Sequence, residues 1–404
     1  MITNLNEALS TNIKGMKRSA IRELLKYLGQ PGLISFSGGF PSPASFPIAD
    51  LKTITQEVLD TEGAYALQYG ATEGDILLRT LLVERYKRDG IDCSVENMII
   101  TTASQQALDL IAKMFIDRGD YVIVGLPSYL GGLSAFNSYG AQMIGIPMDE
   151  EGEDVQIMED ELKKLAAMGK KPKFIYLIPD FQNPAGVTMS EKRRKEILAL
   201  AHKYDVLIIE DSPYRELRYE GEHQKTIYEL DGTGHVVLLG TFSKIFCPGF
   251  RIGWVLGHPD VLDKIVVGKQ ATDLCTPPFT QRIAARYIEK GLLDPKIAEI
   301  SKMYQSKQKV MLESLKEFMP EEFSWTHPEG GLFLMAQGPK SIDTNALLLD
   351  CIKTENVAYV AGTSFFCDGG GQNTMRLNFS YESEENNREG CQRLGRFMKK
   401  AISK

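Results

Sequence analysis

The chain has 404 residues and is 43% hydrophobic, enough to bury a full core in two domains or in one large domain with an appendage. Its 46 basic and 53 acidic residues sum to −7, which offers no general attraction for nucleic acid or anionic lipid. Six cysteines without a CxxC pair suggest neither a disulfide framework nor a zinc site and fit a reducing cytosol.

Read from the N-terminus, MITNLNEALSTNIKG has no apolar signal core, and the longest apolar runs fall far short of the roughly 18 residues of a spanning helix. A soluble cytoplasmic protein without membrane or nucleic-acid partners is expected. SAIRELLKYL reads as a helix, and the Gly/Pro-rich SFSGGFPSPASFP reads as a loop that leads back to a smaller domain. Short apolar runs then recur: MIITT, YVIVG, QMIGIP, KFIYLIP, VLIIED, HVVLLG and GWVLG. Most are apolar throughout, as expected of strands buried on both faces of a largely parallel sheet. Helix-like stretches such as SQQALDLIAKMFIDRG and SEKRRKEILALAHKYD lie between most of them, so the spacing predicts an α/β domain of about seven strands. After residue 290 the texture changes to a long amphipathic helix, strand candidates GLFLMA, NVAYV and TMRLNFS, and the terminal helix NREGCQRLGRFMKKAI. The expected division is an N-terminal arm and small-domain segment at 1–49, a large domain at 50–290, and an α+β small domain at 291–404.

Ligands of open α/β sheets collect at the carboxyl ends of the strands, so the polar residues just past each run carry the chemistry. Ala103, Ser104 and Gln105 turn a strand into a helix and expose N–H groups suited to an anion. Asn183 closes one run, Asp211 closes another ahead of Pro213 and Tyr214, and Thr241, Ser243 and Lys244 close a third, with Arg251 before the next strand. Singly, each has a plain explanation as a cap, a turn or a surface charge. Jointly they supply what pyridoxal 5'-phosphate needs. Lys244 offers an amine for a Schiff base and Asp211 a carboxylate for the ring nitrogen. Asn183 and Tyr214 are donors for the ring oxygen, and Ser104, Gln105, Thr241, Ser243 and Arg251 hold the phosphate. Tyr129 and Pro213 give flat surfaces on the two sides of the ring. No G-x-G-x-x-G follows a strand, and neither a P-loop nor a G-x-S-x-G elbow is present, which sets hydride transfer and those other chemistries aside. The five histidines show no ligand spacing, so no metal is expected.

The ordered series SQQ, PSY, QNPAG, EDSPY, TFSKIFCPGFRIGW and RLNFS resembles the class I/II, fold-type I pyridoxal-phosphate aminotransferases, closest to the 2-aminoadipate (LysN-type) and kynurenine aminotransferase group. The resemblance runs from about residue 20 to the C-terminus. It implies a homodimer, amino acid and 2-oxo acid substrates, and Lys244, Asp211 and Tyr214 as catalytic residues. It also implies that Arg376 forks the α-carboxylate with Asn183 and the Gly38–Gly39 backbone assisting, and that Tyr69 reaches the partner subunit's phosphate. Arg22 is implied to meet the side-chain carboxylate of acidic substrates, its alternative being a solvated helix face beside Glu23. A lyase, decarboxylase or racemase of the same fold, or a MocR-like sensing module, are the alternatives to a ping-pong aminotransferase.

Overall fold

The computed structural model describes residues 4–16 and 30–403. In chain order the strands are β1 (Ile34–Ser35), β2 (Met98–Thr102), β3 (Tyr121–Leu126), β4 (Gln142–Asp149), β5 (Gly152–Glu153), β6 (Phe174–Leu177) and β7 (Leu207–Asp211). They continue with β8 (Val236–Thr241), β9 (Ile252–Leu256), β10 (Ser324–Trp325), β11 (Phe333–Gln337), β12 (Val357–Ala358), β13 (Val360–Ala361) and β14 (Thr374–Asn378). The large sheet has the order 2-9-8-7-6-3-4-5. Strands β3, β4, β6, β7 and β8 are mutually parallel, and β9 runs antiparallel to both β8 and β2. Each of the seven apolar runs becomes a strand of this sheet. The eighth member, β5, is a two-residue return against β4, too short to leave a hydrophobic pattern.

Every residue of β6 and β8 is buried, because helices cover both faces. On one face the helix Ala103–Phe115 packs Leu108 and Ile111 with Val124, Phe174 and Val237. On the other, the helices Val155–Ala167 and Glu191–Tyr204 bring Leu162 and Ile197 onto Ile123, Ile175 and Ile208. Each such side chain contributes on the order of 2 kcal/mol through burial. The helix starts are set by short polar caps: Asp154 accepts from Ile157 N at 2.9 Å and Ser190 from Arg193 N at 3.2 Å. Chain order reverses between β3 and β6, so the carboxyl ends of these strands and of β7 and β8 open onto a switch-point crevice.

The second sheet, in the order 10-11-14-13, is antiparallel and lies within residues 324–378. The helix Leu293–Phe318 turns Ile297, Ile300, Tyr304, Met311 and Leu315 inward at three- and four-residue spacing, and the helix Glu384–Ile402 packs on it. The segment around residue 34 pairs in parallel with β12 and so returns to this part of the chain. The run expected as one strand at NVAYV is split. Tyr359 is fully buried and donates its hydroxyl to Thr344 O at 2.7 Å, while β12 pairs with β1 and β13 with β14. Cross-strand partners that sequence does not display decide that break. The helix expected at SAIRELLKYL lies outside the described residues, and Arg22 with it.

Candidate active site

Strand β8 ends at Thr241, and a tight turn carries Ser243 and Lys244 inward because Phe242, Ile245 and Phe246 anchor the turn in the core. Lys244 Nζ donates to Gly39 O at 2.8 Å and lies 6.0 Å from the centre of the Tyr214 ring. Burial, with the guanidiniums of Arg376 and Arg251 nearby, lowers the Lys244 amine to about 8, against the pull of Asp211. A lysine so placed is a usable base near neutrality, unlike a free one at about 10.4.

Asp211, the last residue of β7, is 2% exposed. Its Oδ2 accepts from the Tyr176 hydroxyl at 2.8 Å, while Oδ1 is buried with no hydrogen-bond partner among the described residues. Burial pushes its carboxyl up to about 6, with the Tyr176 hydrogen bond and the Lys244 charge working the other way. An unpaired buried carboxylate oxygen costs about 1–3 kcal/mol, so the site is suited to a donor that the described residues do not provide.

Asn183 lies past the end of β6, where Pro184 prevents a helix. Its Nδ2 donates to the Tyr214 hydroxyl at 3.2 Å and its Oδ1 accepts from Arg376 Nη1 at 2.9 Å. Arg376 in β14 is 1% exposed, sandwiched against the rings of Phe333 and Phe365 at 4.1 and 5.1 Å, and its Nη2 donates to Ser37 O at 2.9 Å. Its Nε has no partner, and among the described residues no carboxylate pairs with it. Burial lowers this guanidinium to about 10. A buried cation without a counter-charge is costly, so the pocket calls for an anionic ligand rather than for the domain-bridging salt link that a structural arginine would make.

The residues expected to hold a phosphate gather where β2 meets the helix Ala103–Phe115. Ala103 takes a left-handed φ of 60° and its N–H donates to Arg251 O at 3.0 Å. A Cβ at Gly253 would stand 2.6 Å from Ala103 C and Ser104 N, so only glycine lets the helix start sit against β9. Thr241 Oγ1 bonds Ser243 Oγ at 2.9 Å, and Arg251 keeps an exposed side chain with Nη1 on Pro248 O at 3.1 Å. Gln105 donates to Gly131 O at 2.9 Å and accepts from the Tyr129 hydroxyl at 3.4 Å. Pro213 lines a pocket with Ser212 and Thr241. Tyr69 is 82% exposed.

The structure adds residues that sequence reading passed over. Tyr176 fixes Asp211, Ser37 fixes Arg376, and Phe333 and Phe365 flank the guanidinium. The readable signal was Tyr176, a hydroxyl in an otherwise apolar strand that must find a partner when buried.

The profile of the family described as aminotransferase class I and II matches residues 35–394. The chain is 48% identical over 391 residues to aromatic-amino-acid aminotransferase 1 of Thermococcus litoralis, covering 96% of this chain and 94% of that protein. It is 37% identical over 397 residues to the 2-aminoadipate transaminase of Thermus thermophilus, covering 98% and 97%. Among solved structures, the kynurenine aminotransferase of Pyrococcus horikoshii, crystallised with PMP, superposes with a TM-score of 0.95 at 46% identity, covering 100% of this chain and 99% of that one. The chain belongs to the class I and II aminotransferases, the pyridoxal-phosphate-dependent transaminases of fold type I.

Proposed function

We propose that this transaminase moves the amine of a large amino acid to a 2-oxo acid such as 2-oxoglutarate, by a ping-pong reaction in one site. The donor class is aromatic, 2-aminoadipate-like or branched-chain, a range supported by the names of the relatives above. The observation that carries the reading is the convergence of Lys244, the unpartnered Asp211 Oδ1 and the uncompensated Arg376 in one buried cluster.

These residues fit pyridoxal phosphate. A protonated pyridine nitrogen is the donor that Asp211 Oδ1 lacks, and the phosphate suits the start of the helix Ala103–Phe115 with Ser104, Gln105, Thr241, Ser243 and Arg251. When bound, the cofactor supplies a carbon that links to an amine and a ring that stores an electron pair. Asp211, steered by Tyr176, keeps the ring nitrogen protonated. Asn183 and Tyr214 are donors for the ring oxygen, while Tyr129 and Pro213 border its faces. Lys244 takes the proton from the substrate Cα and returns it, a role matched by an amine near 8. Arg376 forks the α-carboxylate, with Asn183 and Gly39 beside it. Amino acid and 2-oxo acid share that carboxylate, so one arginine serves both half-reactions.

The domain division at residues 49 and 290 is supported by the sheets, since all strands of the eight-stranded one lie between these residues and those of the four-stranded and two-stranded ones lie outside them. A homodimer is supported by the exposed apolar side chains Leu67, Tyr69, Ile76 and Leu274, and in it Tyr69 reaches the partner's cofactor phosphate. Among the described residues no helix is long and apolar enough to cross a membrane, which agrees with the cytoplasmic placement proposed here.

The test pairs a panel of amino donors with 2-oxoglutarate, glutamate being read by mass spectrometry, with borohydride reduction and peptide mapping of the cofactor link. Glutamate formed from large donors and a tag on Lys244 are expected. A tag elsewhere, or decarboxylated or racemised product in place of glutamate, sinks the reading.

A further inference from the structure

At the opposite edge of the large sheet, three chain segments bring together side chains that transamination does not use. His202 lies in the last turn of the helix Glu191–Tyr204, Asp231 follows the short helix Ile227–Leu230, and His235 immediately precedes β8. Asp211 and Thr241 sit at the carboxyl ends of β7 and β8, whereas this group sits at their amino ends, on the order of 20 Å away at about 3.3 Å per strand residue. One ligand-type atom from each of His202, Asp231 and His235 lies within 4.8 Å of the others. The loop is held in place, because Ile208 N donates to His235 O at 2.8 Å and His235 N to Asp231 Oδ2 at 2.6 Å.

The hydrogen-bond pattern is informative. Thr233 Oγ1 stands at the centre of the group, 3.0 Å from His202 Nε2, 2.7 Å from His235 Nδ1 and 2.5 Å from Asp231 Oδ1. A hydroxyl has one proton to give, and a carboxylate can only accept it. His202 Nε2 also stands 3.1 Å from Asp231 Oδ1, so carboxylate, hydroxyl and imidazole crowd one point. His235 Nε2 meanwhile faces Asp205 Oδ1 at 3.2 Å. The charged and titratable groups facing this point are His202, His235, Asp231 and Asp205, with Lys171 paired to Asp205 at 2.6 Å.

We infer that His202 Nε2, His235 Nδ1 and Asp231 Oδ1 bind a divalent transition cation of the zinc type. Two imidazoles and one carboxylate suit zinc, cobalt or nickel rather than calcium or magnesium, and water fills the remaining positions. Tetrahedral ligands about 2.0–2.1 Å from zinc stand about 3.3 Å apart. His202 Nε2 and Asp231 Oδ1, at 3.1 Å, are already spaced for it. Asp205 is the outer carboxylate that orients a ligating ring, its contact with Nε2 leaving Nδ1 for the metal. The cation displaces the Thr233 hydroxyl from the centre of the group. Its consequence is mechanical, a clamp between the end of one helix and the entry of β8.

Equilibrium dialysis of the holoenzyme against Zn2+ tests this, with the Tm and the transaminase rate measured on the same samples. Wild type is expected to bind one Zn2+ per chain that both His202→Ala and His235→Ala lose, with Kd raised about tenfold or more. Asp205→Asn keeps all three ligands at an exposed position and is expected to weaken binding by about tenfold. Saturating zinc raises the wild-type Tm by about 3 °C and leaves the histidine variants unmoved. All variants keep the wild-type rate, which shows that they fold. The inference is overturned if wild type takes up no more zinc than the histidine variants, or if Asp205→Asn binds as tightly as wild type.

Discussion

Removing the charge at Asp211 separates its cost to the fold from its use in the chemistry. In the cofactor-free protein its carboxyl is 2% exposed, has one unpartnered oxygen and titrates at about 6, whereas an unfolded aspartate titrates at about 3.9. Between these values the folded chain binds more protons than the unfolded one, so stability falls as pH rises through the window. The full shift of about two units corresponds to about 3 kcal/mol, of which about 2 kcal/mol lies between about pH 4.5 and about pH 7. Asp211→Asn abolishes that proton uptake. Urea midpoints of apo wild type and apo Asp211→Asn should therefore diverge by about 2 kcal/mol in relative stability over this range, the variant gaining at the upper end. The contributions of other buried acids such as Glu153 and Glu210 occur in both proteins and cancel. With cofactor and substrate the order reverses, because the carboxylate then has its donor, and the variant loses orders of magnitude in Cα deprotonation. Parallel apo stability profiles for the two proteins would refute the burial argument.

Two further outcomes follow from the same geometry. On the proposed role, Arg376→Ala removes a charge-assisted fork of about 2–3 kcal/mol, so kcat/KM should fall about 30- to 150-fold for amino acid and 2-oxo acid alike; a loss confined to one half-reaction, seen by single-turnover absorbance, contradicts a shared carboxylate site. Gly253→Ala forces a methyl to within 2.6 Å of the Ala103 and Ser104 backbone, which should destabilise by about 1–3 kcal/mol and weaken cofactor binding, both checked by urea midpoint and cofactor titration.

Much of the site was legible because strand ends are legible. Asn183, Asp211 and Lys244 each follow an uninterrupted apolar run, and an open α/β sheet gathers such positions at one edge. What stayed hidden depends on strand order and on register. Tyr176 reaches Asp211 only because β6 lies beside β7, and no periodicity announces that adjacency. The split at Tyr359 was unreadable because its neighbours join different sheets. The histidines 33 residues apart were dismissed for want of ligand spacing, yet adjacent parallel strands bring their entries together.

The bonds from Arg376 reach back 193 residues to Asn183 and 339 to Ser37, while Lys244 leans on Gly39. Opening and closing stretches of the polypeptide thus meet over its middle. If Arg376 holds the substrate carboxylate as proposed, a product truncated at either end loses that grip even where the residues of the large sheet are all present.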